Sequence, residues 1–99
     1  MIDFTPKSRP RTNPTEREKA AIKKATEKVF KKYHHTVLRE LLAGYPHYSE
    51  DPSLLSVINW KYHYHQIPPY YAQQIERLGL GFTLKQLRPD VWRVFGGDK

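Results

Sequence analysis

Apolar residues recur at helical spacing early in the chain: Ala21, Ile22, Ala25, Val29 and Phe30, with Lys23, Lys24, Lys28 and Lys31 on the other faces. Thr15 followed by Glu18 matches a capping box, and Pro14 suits a chain entering a helix, so the pattern predicts a helix over 15–32. A second helical stretch runs from Thr36 to Ala43 and is closed by Gly44. Between them, Lys32-Tyr33-His34-His35 holds no glycine or proline, so one continuous helix over 15–43 stays open beside two. Residues 45–51 read as loop. Asp51 as N-cap and Pro52 in the first turn predict a third helix reaching Lys61 or Tyr62. Its positions Leu54, Leu55, Val57, Ile58 and Trp60 are apolar, and Ser53, Ser56 and Asn59 form a polar stripe. Ile67-Pro68-Pro69 is extended, because residues before proline avoid the helical region. A fourth helix follows over 69–78, turning Ala72, Ile75 and Leu78 inward and stopping at Gly79 or Gly81. Thr83 caps a short turn of helix, and Arg88 to Trp92 folds back as a terminal segment. The expectation is an all-α domain of four to five short helices over 15–95, with a flexible arm at 1–14 and a tail at 96–99.

Length and charge narrow what such a domain can do. Ninety-nine residues support one modest core, too little for a Rossmann sheet or a barrel. Cysteine is absent, which excludes a disulfide scaffold and thiolate chemistry. No apolar run approaches the roughly 18 residues of a membrane span, and the first residues lack the apolar centre of a signal peptide. No membrane association is expected, and a cytoplasmic location is. Net charge is +7 and unevenly spread: residues 1–32 hold ten Lys/Arg against four acids, residues 33–99 seven against six. A basic third of this kind favours polyanions, nucleic acid first. The arm carries Lys7, Arg9 and Arg11 between Pro6, Pro10 and Pro14, with almost nothing to bury. Catalysis finds no support, for there is no glycine-rich phosphate loop, nucleophile motif or carboxylate pair beside an apolar pocket. His63-x-His65 and His34-His35 hint at a metal, but no third ligand stands at a recognisable spacing. No enzyme activity, cofactor or metal is therefore expected.

Four segments carry a family resemblance: Trp60-Lys61, Ile67-Pro68-Pro69, Ile75-Glu76 and Leu87-Arg88-Pro89-Asp90-Val91. At this spacing they resemble the Cro/YdaS family of small phage-type helix-turn-helix transcription regulators, over about residues 20–92. The resemblance implies binding of double-stranded DNA by a homodimer in the cytoplasm of a bacterial host cell, with repression by promoter occlusion. The second and third helices would be the two halves of the helix-turn-helix, the third lying in the major groove. Two departures stand out. The family's turn is short where this chain has residues 45–51, and its polar residues two and five places before the tryptophan are here Ile58 and Leu55.

On this reading Ser53, Ser56 and Asn59 contact bases, asparagine being suited to adenine. Lys61, Tyr62 and His63, with Lys31 and Lys32, contact phosphates, and Lys7, Arg9 and Arg11 enter the minor groove. His63 and His65 would raise DNA affinity as pH falls from about 8 to 6. The apolar Val91–Phe95 segment is the candidate dimer surface. Two rivals stay open. One is a protein–protein module, a small phage modulator of a host protein, using Tyr45, Tyr48, Tyr62, Tyr64, Tyr70 and Tyr71. The other is a single-stranded nucleic acid or RNA binder that stacks bases on those tyrosines.

Overall fold

Thr15 opens the first helix as its spacing to Glu18 requires. Its hydroxyl accepts from the Glu18 N–H at 3.1 Å, and the Glu18 carboxylate accepts from the Thr15 N–H at 2.9 Å. The computed structural model describes Phe4, residues 11–43 and residues 52–96, and every regular element among them is helical. Helix α1 (Glu16–Lys32) stops at Tyr33, whose backbone is extended (φ −127°, ψ 123°), and α2 (His35–Ala43) is a separate helix. No local breaker causes this stop. Instead the Lys32 ammonium and the Tyr33 hydroxyl both donate to the Leu80 carbonyl, at 3.2 and 3.3 Å, so a distant loop holds the break.

Helix α3 (Leu54–Asn59) begins later than the pattern implies. Ser53 is its N-cap, accepting from the Ser56 N–H at 3.1 Å. Pro52 lies outside the helix, buried, and its carbonyl accepts from Arg39 Nε at 3.3 Å. Gly44, the loop 45–51 and the expected cap Asp51 lie outside the described residues. Beyond Asn59 the helix widens into a π-type turn over Trp60–Tyr64. It ends at His65 with φ 54°, a left-handed conformation that histidine tolerates better than most side chains.

Helix α4 (Pro69–Arg77) is the centre of the molecule: every residue from Pro69 to Ile75 is buried. Only Glu76 and Arg77 at the end of α4 are exposed, so the expectation of exposed Tyr70 and Tyr71 is corrected. Both are in the core, and Tyr71 packs 5.0 Å from the Trp60 ring. Gly79, at φ 72°, closes α4: its N–H donates to the Glu76 carbonyl and that of Leu80 to the Ile75 carbonyl. Helix α5 (Leu84–Leu87) starts from a second capping box, Thr83 with Gln86, and Glu76 accepts from the Leu84 N–H at 2.6 Å. Helix α6 (Pro89–Val91) runs into a final π-type turn at Trp92–Gly96. No helix among the described residues is long and apolar enough to cross a membrane.

Two expectations about the ends of the chain change. Phe4 is buried, donates its N–H to the Gln73 side chain at 3.0 Å and meets Phe95 edge-on at 6.1 Å. Part of the supposed arm therefore completes the core, because one aromatic ring is enough to anchor it. At the other end Val91 is fully buried and Trp92 and Phe95 pack against the core, so part of the candidate dimer surface is taken up within the domain, while Arg93 and Val94 stay exposed. Arg93 closes this end on α1, its guanidinium donating to Glu18 at 2.8 and 2.9 Å and to the Asn13 carbonyl at 3.2 Å. That pairing, with the Thr15 N–H behind it, holds the Glu18 carboxyl below its ordinary range.

The ends meet over a buried ion pair. Arg88 grips Asp90 with two hydrogen bonds of 3.1 and 3.0 Å, and its third reaches the Ile67 carbonyl at 3.1 Å. Thr12 donates to the same carboxylate at 2.6 Å. Burial alone would push the Asp90 carboxyl up, but the bonds from Arg88 and Thr12 and the guanidinium charge outweigh it and hold it down. Removing one partner of a buried pair leaves a bare charge and costs about 3–5 kcal/mol. Denaturant unfolding of Arg88→Met should show a loss of that size, and the Arg88→Met/Asp90→Leu double variant a smaller one. A single-variant loss below about 1 kcal/mol would mean the pair is solvated rather than structural.

Candidate nucleic-acid interface

The face that could meet a nucleic acid is built on α3. Its buried side is set by Val57 and Trp60, both enclosed in the core. Residues advance about 100° each around a helix, so positions two before or after Val57 point the opposite way. Leu55 and Asn59 occupy them, with Ser56 and Ile58 on the flanks. Leu55 is 67% exposed, Leu54 is also exposed, and Asn59 is half-buried. The expected stripe is therefore only partly the outer face: Leu55 stands at its centre, with Asn59 one turn on.

The serines are differently employed. Ser53 accepts from the Ser56 N–H as the helix cap, and its hydroxyl also donates to the Ser56 hydroxyl at 3.0 Å. Both residues are exposed, but Ser53 Oγ is a structural group before it is a reading one. Leu55 is legible as the outer position once Val57 and Trp60 are taken as the buried axis.

The π-type turn continues α3 directly and carries the phosphate candidates. Tyr62 and Tyr64 are 62% and 58% exposed, His63 is exposed and stands edge-on to Tyr64, and the Lys61 ammonium lies 4.8 Å from the Tyr62 ring centre. Wide π-type turns occur often at functional sites, since they re-aim side chains without ending the helix. α1 packs against this turn, and its last turn carries Lys31 and Lys32. Lys31 is exposed; Lys32 is also exposed but tied to the Leu80 carbonyl. Of the minor-groove candidates, Arg11 is exposed, and Lys7 and Arg9 lie outside the described residues, as do Tyr45 and Tyr48. Among the described residues no three His, Cys, Asp or Glu side chains converge as metal ligands would.

His34 and His35 sit at the start of α2, their rings 4.0 Å apart and tilted. His34 Nδ1 accepts from the Thr36 N–H at 3.3 Å. His35 Nδ1 is enclosed with no hydrogen-bond partner among the described residues. Burial first, then the neighbouring His34 and Lys61, hold the His35 imidazole below its ordinary range. The α3 continuation lies against α1, whose end leads into α2.

Two measurements follow from this arrangement. Ser53→Ala removes the α3 cap and should cost about 1 kcal/mol in chemical unfolding. The unfolded chain takes up a proton at His35 more readily than the folded one does. Stability from this residue is therefore full above the ordinary imidazole pKa of about 6.5 and declines below it. The melting temperature should fall between pH 7.5 and 5, and His35→Asn should flatten that slope; an unchanged slope would remove His35 from the account. No family model, curated protein or solved structure matches the chain.

Proposed function

We propose that this domain binds double-stranded DNA and reads its sequence with the outer face of α3, acting as a transcriptional regulator of the repressor type. One observation carries the reading: α3 runs without interruption into the turn bearing Lys61, Tyr62 and His63. A base-reading face and a phosphate-gripping end then belong to one rigid piece. That is the division of labour duplex recognition needs, because phosphate contacts set the register and base-edge contacts supply the specificity. The lysines of α1 add sequence-independent attraction, and Lys31 is the exposed cation of its last turn best suited to a phosphate. The resemblance to Cro/YdaS regulators supports the same function. A pair of copies on a palindromic site would bring two α3 faces about one helical turn apart and exclude polymerase from an overlapping promoter.

A second reading, a protein–protein module, is favoured by the exposed Val37, Leu54 and Leu55. The two readings separate on salt. Fluorescence anisotropy with random 20-base-pair duplexes should give affinity falling steeply as salt rises. Lys61→Gln and Lys31→Gln should each reduce the log–log slope by about 1. Selection from the bound pool should then enrich one sequence. Binding that ignores salt, or no duplex binding at all, would turn the assignment to the protein-partner reading.

A further inference from the structure

The outward centre of α3 is aliphatic, in a chain of net charge +7. Leu54 and Leu55 are exposed, and no charged side chain occurs between Ser53 and Trp60. Leu55 lies one turn from Asn59, about 6 Å along the axis, with Ser56 beside it. The two exposed leucines of α3 are by themselves a small centre for a partner interface, which typically covers about 800 Å² on each side. Lys61 follows this face directly, and α1, with Lys31 in its last turn, packs against the turn that carries Lys61; such cations suit a polyanion.

The chemistry of the major groove then restricts what the face can read. Guanine presents acceptors there, cytosine a donor, and adenine one of each; a leucine side chain answers none of these. The one apolar feature on any base edge is the thymine C5-methyl group. An asparagine amide suits the N6 and N7 of adenine. Leucine and asparagine one turn apart thus complement the two letters of A·T pairs, and a 6 Å separation spans neighbouring pairs stacked about 3.4 Å apart.

Building on the DNA-binding reading, we propose that Leu55 is a specificity-determining residue that buries a thymine methyl group while Asn59 engages an adjacent adenine, so that this domain selects a site containing an A·T step. The departure from polar residues at this position is then a choice of base rather than a loss of reading.

The test uses the full chain and the duplex enriched by selection, with thymines replaced singly by deoxyuridine. This deletes one methyl group and keeps every hydrogen-bonding atom. At one thymine the wild-type protein should bind about fourfold more weakly, the worth of one buried methyl. Leu55→Ala should lose a similar factor on the thymine duplex and nothing further on the deoxyuridine duplex; because Leu55 is exposed, the variant keeps its core. Independent, additive losses would overturn the proposal, as would an enriched site without A·T pairs. Failure to bind any duplex would overturn the DNA reading itself. Unchanged duplex affinity with altered sedimentation of Leu55→Ala would overturn the proposal and assign the face to contact between copies.

Discussion

The buried pair of Arg88 and Asp90 is the constraint on which the arrangement of the helices depends. Its origin lies in the two prolines at 68 and 69. They begin α4 well, because proline fits the first helical positions, but the chain before them must be extended and buried. The Ile67 carbonyl is then enclosed with no helical partner, and an enclosed carbonyl needs a donor. Arg88 supplies it from 21 residues away. Bringing a guanidinium into the core in turn requires a carboxylate, and Asp90 at the start of α6 provides it bidentately. The remaining capacity of that carboxylate is taken by Thr12. One backbone carbonyl thereby determines how the approach to α1, the start of α4 and the start of α6 meet.

Much of this architecture was legible in the sequence because it rests on local chemistry. The Thr15 and Thr83 capping boxes and the glycine after α4 are short-range devices, and each forms where its spacing implies. What periodicity could not foresee was long-range. The stop at Tyr33 is held by a carbonyl at position 80, and no residue near Tyr33 announces it. Phe4 sits in a stretch rich in proline and charge, yet a single aromatic ring with one backbone bond to Gln73 draws it into the core. Tyr70 and Tyr71 misled for a related reason: the long-range packing that buries Pro69 to Ile75 takes in two tyrosines beside the expected Ala72 and Ile75.

The residues that carry the family resemblance are, in this structure, those that build the scaffold. Trp60, Ile67, Ile75, Leu87 and Val91 are buried, Glu76 receives the first N–H of α5, and Arg88 and Asp90 form the central pair. These residues hold the fold together, and none of them belongs to the outer face of α3. Function then has to be sought in the surface they leave exposed, which is the outer face of α3 and the turn after it. There the sequence was least informative, because Ser53 resembles a reading residue and serves as a cap, whereas Leu55 resembles a core residue and faces solvent.

An exposed leucine on a short helix is ordinarily a weak observation, since folded surfaces are more than half apolar. Its weight here comes from position. The π-type turn keeps α3 continuous with Lys61 and Tyr62, so on the proposed DNA-binding reading a backbone gripping phosphate at one end would fix the depth and rotation of Leu55 at the other. A side chain held at a defined place above a groove can discriminate by shape and apolarity alone, where a freely moving one could only add affinity. The capping serine contributes to the same geometry. By closing the first turn of α3 it sets the direction in which the next two residues project, and those are Leu54 and Leu55.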